Sequence, residues 1–322
     1  AALAGMPLVA GIYASLLPSI VAVLWSSSTR LGVGPTALTS LLIGTSLTGL
    51  AQPGSAEWVA LAVWIALLSG LLQLGLGLVR FGWLLNLVTS PVLSGFTQAA
   101  ALLILVSQLP ALLGLRVPLE TWMAAPQLAH FDWHAAAFGV GSVAALVLAK
   151  RQWPQFPAVV VIMGGAAALS WALGFAAQGG AVVGALPAGL PHFYWPGALP
   201  WSTLGSLILP VLVVTLVSFL ETASSAKVDH QSGGTRWNEN QDLVAHGMAK
   251  ISSGLCGGFA TSASFSRSAI NLYAGAQTGW ATIFATSLVL VVLLLLLPAL
   301  HHVPQAVLAA VVVPAITGRI TP

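Results

Sequence analysis

Long stretches of this chain contain no charged residue. Its 322 residues include only 10 Lys or Arg and 7 Asp or Glu, and charge is absent from 1–29, 31–56, 81–115, 152–220 and 268–318. A membrane-spanning helix needs about 20 consecutive apolar residues, and each stretch is long enough to supply one. Soluble domains carry about 25% charged residues, against 5% here. The chain is therefore predicted to be a multi-pass integral membrane protein.

The remaining composition excludes several functional classes. The net charge of +3 comes without any cluster of Lys or Arg, so nucleic acid is excluded as a main partner. The single cysteine, Cys256, cannot form an internal disulfide, and no Cys/His cluster indicates a metal or redox cofactor. The sequence contains no GxSxG, HExxH or Walker motif, so an enzyme is not expected.

Two histidine pairs are weak candidates for metal ligands. His130 and His134 flank Asp132 at a spacing that could bind a metal on a helix, but a solvated loop is the preferred interpretation of this Trp-rich connection. His301 and His302 are adjacent, so on a helix they point in different directions. Neither pair is predicted to bind a metal.

Apolar runs bounded by charges, Pro or Gly pairs predict about eleven helical segments. They lie near 8–25, 34–48, 58–79, 83–113, 134–149, 157–174, 206–227, 241–254, 262–274, 279–299 and 303–317. A transmembrane β-barrel needs strands that alternate apolar and polar residues, and runs such as 288–297 do not alternate. The predicted fold class is an all-α polytopic membrane protein. Ala62, Ala66 and Gly70 place small residues on one helix face, which permits close helix packing.

Basic residues fall mainly in every second connection between these segments. The connections after 25, 79, 149 and 227 hold six of the seven basic residues in this part of the chain: Arg30, Arg80, Lys150, Arg151, Lys227 and Arg236. Cytoplasmic loops carry such an excess, so these connections are predicted to be cytoplasmic. Six Trp residues near predicted helix ends are candidate interfacial anchors, the alternative being that some pack between helices: Trp58, Trp83, Trp133, Trp153, Trp201 and Trp280.

Two segments are too short to cross the membrane alone. Gly34–Leu47 and Ser262–Ala274 contain 14 and 13 residues, or about 20 Å against about 30 Å of hydrocarbon. Each follows a Gly-Pro or Gly-Gly signal, so each is predicted to be a half-helix entered from extended chain within the membrane. Paired half-helices indicate a transporter binding site. The alternative is two kinked or interfacial helices with ordinary caps.

The N-termini of these half-helices favour an anion. Unpaired N–H groups give a helix N-terminus a partial positive charge. Hydroxyl groups add further donors at the same positions: Thr36, Ser262, Ser264 and Ser266.

Glu221 and Arg267 place charges inside predicted spans, where charges are rare and mark functional sites. Burial favours the neutral form of a carboxyl group, so Glu221 is a candidate to carry a proton in a coupled cycle. The alternative is a permanent ion pair with Arg267, or a position near the cytoplasmic end of the helix. Arg267 either draws anions toward the site or neutralises Glu221, and the sequence leaves both roles open.

Several blocks of the sequence occur in the same order in one known family. They are 7–18, 28–37, 94–97, 107–109, 240–243 and 258–271. The last, Gly-Phe-Ala-Thr-Ser-Ala-Ser-Phe-Ser-Arg-Ser-Ala-Ile-Asn, is the most specific. Together they resemble the sulfate permease (SulP) family, the solute-carrier-26 anion transporters, from residue 1 to about 318.

This resemblance implies a uracil-transporter-like fold of two inverted seven-helix repeats. A core domain, expected at about 1–79 and 206–300, rocks against a gate domain, expected at about 81–205 and 301–322. An anion is held between the third and tenth helices of the family, which match the two predicted half-helices. Carried over by position, the implied substrate-binding residues are Gly34, Pro35, Thr36, Ser264, Phe265, Ser266 and Arg267. Glu221 matches the acidic position of the eighth helix and is the implied proton-coupling residue.

The resemblance also implies missing parts. Most of the first helix is expected before Ala1, and two further helices and a STAS-like cytoplasmic domain are expected after Pro322. The chain is therefore interpreted as a truncated transmembrane domain. The full-length protein is expected to be a homodimer in the bacterial inner membrane, in contact with lipid.

The function expected from these observations is proton-coupled symport of a small anion by alternating access. Sulfate, bicarbonate and dicarboxylates such as fumarate all fit, and no cofactor beyond the coupling proton is expected. One alternative is a nucleobase or uracil symporter of the same fold, against which Arg267 and the block around it argue. The others are an uncoupled anion channel or voltage-responsive motor, which does not need Glu221, and a structural scaffold, which leaves the half-helices unexplained.

Overall fold

A computed structural model describes residues 1–87, 90–115, 131–153, 156–185, 189–234, 236–295 and 297–317. Within these ranges the regular structure is helical apart from two three-residue strands. In chain order, the elements are α1 (Leu8–Trp25), β1 (Gly32–Gly34), α2 (Ala37–Leu47), α3 (Ala56–Leu78), α4 (Ser90–Leu112), α5 (Trp133–Gln152), α6 (Ala158–Ala172), α7 (Trp201–Gly233), α8 (Glu239–Leu255), β2 (Ser262–Ser264), α9 (Phe265–Tyr273), α10 (Trp280–Leu295), α11 (Leu297–Leu300) and α12 (Gln305–Thr317). Short 3-10 helices cover Ala2–Ala4 and Phe81–Leu87.

The predicted helices are found, but several of their boundaries were wrong. The segment predicted at 83–113 begins as the 3-10 helix Phe81–Leu87, and α4 follows it. The segment predicted at 206–227 extends over 201–233, because the helix continues until Gly234 caps it in the left-handed conformation, with φ 63°. The two half-helices begin only at Ala37 and Phe265, because the residues before them form strands.

Among the residues that the structure describes, four helices are long and apolar enough to cross a membrane: α1, α3, α5 and the first part of α7, Trp201–Lys227. Large apolar side chains on the helices point outward, among them Leu209, Phe284 and Leu295. A water-soluble protein rarely exposes so much contiguous apolar surface, whereas lipid accommodates it. The chain is an integral, multi-pass membrane protein.

Trp58 packs between helices and is not an anchor at the membrane interface, so the second of its two interpretations applies. Its side chain is only 2% exposed, and its indole N–H donates to the carbonyl oxygen of Ala4 at 2.8 Å. Burial with a satisfied N–H is the usual state of a core tryptophan. By contrast, Trp133 and Trp201 are largely exposed and remain suited to anchoring.

The described chain divides into two compact units. Unit 1 comprises 1–94 and 188–294, and unit 2 comprises 95–187 and 295–322. In unit 1, the largest apolar cluster joins the start of the chain to α2, α3, α7 and the segment before β2, with Trp58, Ile65, Leu207 and Phe259 at its centre. In unit 2, α12 packs against α5 and α6 through small residues such as Ala306, Ala309 and Ala310.

Glycines allow α3 and α8 to pack with their backbones almost touching. A Cβ atom added to Gly247 would lie 2.6 Å from the backbone N of Leu74 and 2.8 Å from the carbonyl oxygen of Gly70. Ala62 and Ala66, which share a face with Gly70, are fully buried. Such close approach increases dispersion contacts between helices, which is a main source of helix association in lipid.

Three of the connections predicted to be cytoplasmic meet at one end of unit 1. Arg30 forms an ion pair of 2.6 Å with Asp229 near the end of α7. The backbone N–H of Gly82 donates to the Asn240 side chain at 2.8 Å. The structure thus places the connections after α1, α3 and α7 on the same side, as the distribution of basic residues predicts.

Asp242 fastens the end of α1 to this side of the unit. Its carboxylate accepts hydrogen bonds from the hydroxyls of Ser26, Ser27 and Ser28 and from the indole N–H of Trp237. Ser28 also lies 2.9 Å from Nε2 of His230. Because hydrogen bonds to an ionised group are strong, this carboxylate fixes the chain where it leaves α1 for β1.

The crossing of α3 and α8 predicts opposite effects for one substitution at two positions. Gly247→Ala is expected to lower the melting temperature of the purified protein by several degrees, since overpacking costs about 1–3 kcal/mol. Gly75→Ala in α3, where no atom lies within 4 Å of the added Cβ, is expected to leave it unchanged or raise it, because Ala favours helix. Equal melting temperatures for the two variants would contradict the close crossing.

Candidate functional site

Two extended segments pair inside unit 1 and bring two helix N-termini together. β1 and β2 are antiparallel, with Gly32 opposite Ser264, Val33 opposite Ala263 and Gly34 opposite Ser262. α2 begins three residues after β1, and α9 begins directly after β2. The strands satisfy backbone groups that have no water to bind in a membrane. Both short helices therefore start from one point, the strand pair, and leave it at opposite ends.

Glu221 reaches this point from α7. The hydroxyl of Thr36 donates to its Oε2 atom at 3.0 Å, and the hydroxyl of Thr39 donates to the same atom at 3.1 Å. Thr36 is also the N-cap of α2, where its oxygen accepts a hydrogen bond from the Thr39 N–H. The carboxylate thus lies beside the first turn of α2, whose partial positive charge stabilises an anionic group.

Arg267 connects the two half-helices. It lies in the first turn of α9, and its Nη2 atom donates to the carbonyl oxygen of Pro35 at 3.0 Å, just before α2. Within the described residues no ion pair of 4 Å or less joins it to Glu221, so the two are not a closed pair. The groups nevertheless lie within electrostatic range of each other.

Two glycines of β1 make room for this arginine. A Cβ atom added to Gly32 would lie 2.5 Å from the Cβ atom of Arg267, and one added to Gly34 would lie 3.0 Å from both terminal guanidinium nitrogens. Gly34 also has φ +152°, a conformation that residues with a side chain rarely adopt. Gly34 therefore contributes space and backbone shape, and no side-chain contact.

The other residues predicted for the site lie at the start of α9. Ser264 is its N-cap, and the side chain accepts a hydrogen bond from the Arg267 N–H at 3.5 Å. Phe265 is the first residue of the helix and is partly buried. Ser266 is in the first turn, but its side chain lies outside what the structure describes. Ser264, Phe265 and Arg267 thus lie at the start of α9, and Thr36 lies at the start of α2.

Several buried polar groups around this point have no hydrogen-bond partner in the described part of the chain. They are the hydroxyls of Thr222 and Ser225 on α7, that of Thr261 just before β2, and Nε of Arg267. A buried donor without a partner costs about 1–3 kcal/mol. Groups of this kind are commonly satisfied by water or a ligand, and three hydroxyls with one guanidinium N–H suit an anion.

A cavity of about 460 Å³ lies on the α1 side of Arg267. Besides apolar side chains it is lined by Ser15, Ser19, Asn271, Thr282 and Thr286. Its volume is in the range of ordinary small-molecule sites. Arg267 lines this cavity and also lies in the first turn of α9.

Sequence reasoning missed two residues near Glu221. Thr39 lies three residues after Thr36, so both hydroxyls share one face of α2, and that spacing could have identified it. Lys250 on α8 is 0% exposed and lies within electrostatic range of Glu221. It lies in the predicted helical segment 241–254, but its burial depends on which helices pack against that segment and has no local sequence signal.

The histidines considered as metal ligands have other surroundings. Asp132 caps α5 by accepting hydrogen bonds from the N–H groups of His134 and Ala135. His130 lies outside the described residues. The rings of His301 and His302 contact each other edge to face. No group of three His, Cys, Asp or Glu residues in the described ranges is placed to hold a metal ion.

A model of the sulfate permease family matches residues 1–321. The chain belongs to this family. It is 31% identical over 336 residues to "Sulfate transporter 4.1, chloroplastic" of Arabidopsis thaliana, covering 99% of this chain and 48% of that protein. The chain thus spans about half the length of the curated relatives it matches. These relatives are transporters and not enzymes.

Two solved structures share the fold. The first is SLC26A9, with a TM-score of 0.88 at 22% identity, covering 99% of this chain and 54% of that chain. The second is the transmembrane domain of the cyanobacterial bicarbonate transporter BicA, with a TM-score of 0.86 at 20% identity, covering 99% of this chain and 83% of that chain. The predicted helical membrane-transporter fold is therefore confirmed.

The contact between Gly34 and Arg267 predicts a measurable coupling between them. Gly34→Ala is expected to lower the melting temperature more than Gly49→Ala, because both positions have positive φ but no atom lies within 4 Å of a Cβ at Gly49. In an Arg267→Ala background, Gly34→Ala is expected to lower the free energy of unfolding by a smaller amount than in the wild type. The difference, which is the coupling energy of the two residues, is expected to be about 0.5–3 kcal/mol. Additive effects of the two substitutions on stability would show that the position of the guanidinium group does not depend on the space left by Gly34.

Proposed function

We propose that this chain is the transport domain of a proton-coupled anion symporter. The observation that carries the proposal is the position of Glu221, whose carboxylate accepts two hydroxyl hydrogen bonds at the N-terminus of α2. The opposing half-helix supplies Arg267 at the same point. An acidic group and an anion site that share donors provide a direct means of coupling.

The coupling follows from competition for those donors. An ionised Glu221 occupies the hydroxyls of Thr36 and Thr39 and repels a second anion. Protonation of Glu221 removes the repulsion and frees the hydroxyls to donate to a substrate. Proton binding then raises the affinity for the anion, and by thermodynamic reciprocity the anion raises the affinity for the proton by the same factor. The two are carried together.

The substrate is proposed to be a small inorganic or carboxylate anion. The name of the Arabidopsis relative supports sulfate, and that of BicA supports bicarbonate. A dicarboxylate such as fumarate also fits a site of hydroxyls, helix N-termini and one guanidinium. The scarcity of basic side chains argues for recognition through hydrogen-bond donors and not through several bidentate Arg contacts.

Transport is proposed to occur by alternating access between a core and a gate domain. The antiparallel pairing of β1 with β2 supports two repeats of inverted orientation, because it relates the two strand-helix segments by a local two-fold axis. On family membership alone we further propose that the full-length protein is a homodimer. The match to a cyanobacterial transporter supports a bacterial inner-membrane location.

Uptake by the full-length protein in proteoliposomes tests the proposal. The panel is radiolabelled sulfate, bicarbonate, fumarate and uracil, each with and without an inward proton gradient. We expect uptake of at least one anion to rise with the gradient, and Glu221→Gln to abolish that rise. Glu57→Gln, at an exposed position in the first turn of α3, is the matched control. Uptake of uracil alone would refute the proposal in favour of a nucleobase symporter. Anion flux that does not change with the proton gradient would refute it in favour of a channel.

Arg267 is expected to contribute affinity for the anion. Arg267→Gln removes the charge and is expected to raise KM about 10-fold or more, because a hydrogen bond to a charged group contributes about 1.5–3 kcal/mol and 1.4 kcal/mol is tenfold. Arg151→Gln, exposed in the last turn of α5, is expected to leave KM unchanged. The KM values come from initial uptake rates, and an unchanged KM in Arg267→Gln would remove this residue from the site.

A further inference from the structure

Lys250 is a basic residue in the interior of unit 1. Its side chain is 0% exposed, and its Nζ atom donates to the Oε1 atom of Gln73 on α3 at 2.5 Å. Buried charges in a membrane protein are costly and mark function unless a partner neutralises them. Gln73 is neutral, so it satisfies a hydrogen bond of the ammonium group without balancing its charge.

Glu221 on α7 is the acidic side chain outside α8 that interacts electrostatically with Lys250. Within the described residues no carboxylate lies within 4 Å of Nζ. The acidic group in electrostatic range is Glu221. The hydrogen bonds around Gln73 support this proximity. Oε1 of Gln73 also accepts from the Ser218 hydroxyl at 3.5 Å. Ser218 precedes Glu221 by three residues on α7, so the two residues lie on the same helix face.

The remaining titratable groups near Lys250 lie on its own helix or beyond Glu221. Asp242 and His246 occupy the same face of α8 at intervals of four residues. Asp242 is already bound by three serine hydroxyls and the Trp237 indole. His246 has no hydrogen-bond partner within the described part of the chain. Arg267 is the second cation in range of Glu221, but it also faces the proposed anion.

We infer that Lys250 is a positioning residue, a fixed internal cation that stabilises the ionised form of Glu221 and thereby sets the pH at which the site accepts its proton. This inference rests on the proposed function. When Glu221 is ionised, Lys250 balances it and leaves Arg267 as a net positive charge. When Glu221 is protonated, the positive charges of Lys250 and Arg267 are both available to an anion, so proton binding favours substrates of higher charge.

The first test is the pH dependence of uptake by the full-length protein in proteoliposomes. The probe is the best-carried anion of the panel of sulfate, bicarbonate and fumarate. Lys250→Gln keeps an amide donor for Gln73 and removes the charge. It is expected to move the pH of half-maximal uptake upward by about one unit, since a carboxyl group without a nearby cation is protonated at higher pH. Lys250→Arg keeps the charge and is expected to retain the wild-type profile.

A double-variant comparison separates electrostatic positioning from packing. In a Glu221→Gln background, Lys250→Gln is expected to have no effect on the pH profile, because the group on which it acts is gone. A shift of the same size in both backgrounds would overturn the inference. If Lys250→Gln does not accumulate, the apolar pair Gln73→Leu with Lys250→Met replaces it, since apolar substitution of a buried polar pair is commonly tolerated. An unchanged profile in that variant also overturns the inference.

The two hypotheses fail in different ways. If Glu221→Gln retains uptake that responds to the proton gradient, the proposed function fails. If Glu221→Gln abolishes that response while Lys250→Gln keeps the wild-type pH profile, proton coupling stands and the role of Lys250 fails.

Discussion

The pairing of β1 with β2 is the constraint on which the rest of unit 1 depends. Three residues on each side form an antiparallel ladder in a region where unpaired backbone groups cannot find water. The ladder fixes where α2 and α9 begin, and so it fixes the positions of Thr36 and Arg267. Ser19 of α1 reinforces it by donating to the carbonyl oxygen of Val33 at 2.7 Å. Backbone hydrogen bonds between the strands therefore fix the geometry of the candidate site, and side-chain hydrogen bonds add to it.

Glycine is the residue that makes this construction possible. Gly32 and Gly34 let the strand lie directly against Arg267, and Gly70 and Gly247 let α3 lie directly against α8. The second contact brings Lys250 on α8 to Gln73 on α3. Close backbone approach thus sets the position of Arg267 against β1 and that of Lys250 against Gln73, and larger residues at the glycine sites would not permit either.

Two helices, α7 and α8, carry charged residues both near the candidate site and at the end of the unit that holds the basic connections. Glu221 and Asp229 lie eight residues apart on α7, and Lys250 and Asp242 lie eight residues apart on α8. At the far end, Asp242 and Asp229 bind the chain that connects α1 to β1. The segment that supplies the half-helix is thus held at its beginning by carboxylates and at its end by the strand pair.

The sequence alone determined the membrane class, the succession of helices and the two short segments, and it predicted Glu221 and Arg267 as candidate functional residues. These follow from local properties: apolar runs, helix breakers, and charges where lipid disfavours them. The similarity of the last block to a known family added the remaining site residues. Only the tertiary structure decided that the residues before the short helices pair as strands, because strand pairing joins residues more than 200 positions apart. It also decided that Trp58 and Lys250 are buried, since burial depends on which helices approach each other and not on the residue's own neighbours in the chain.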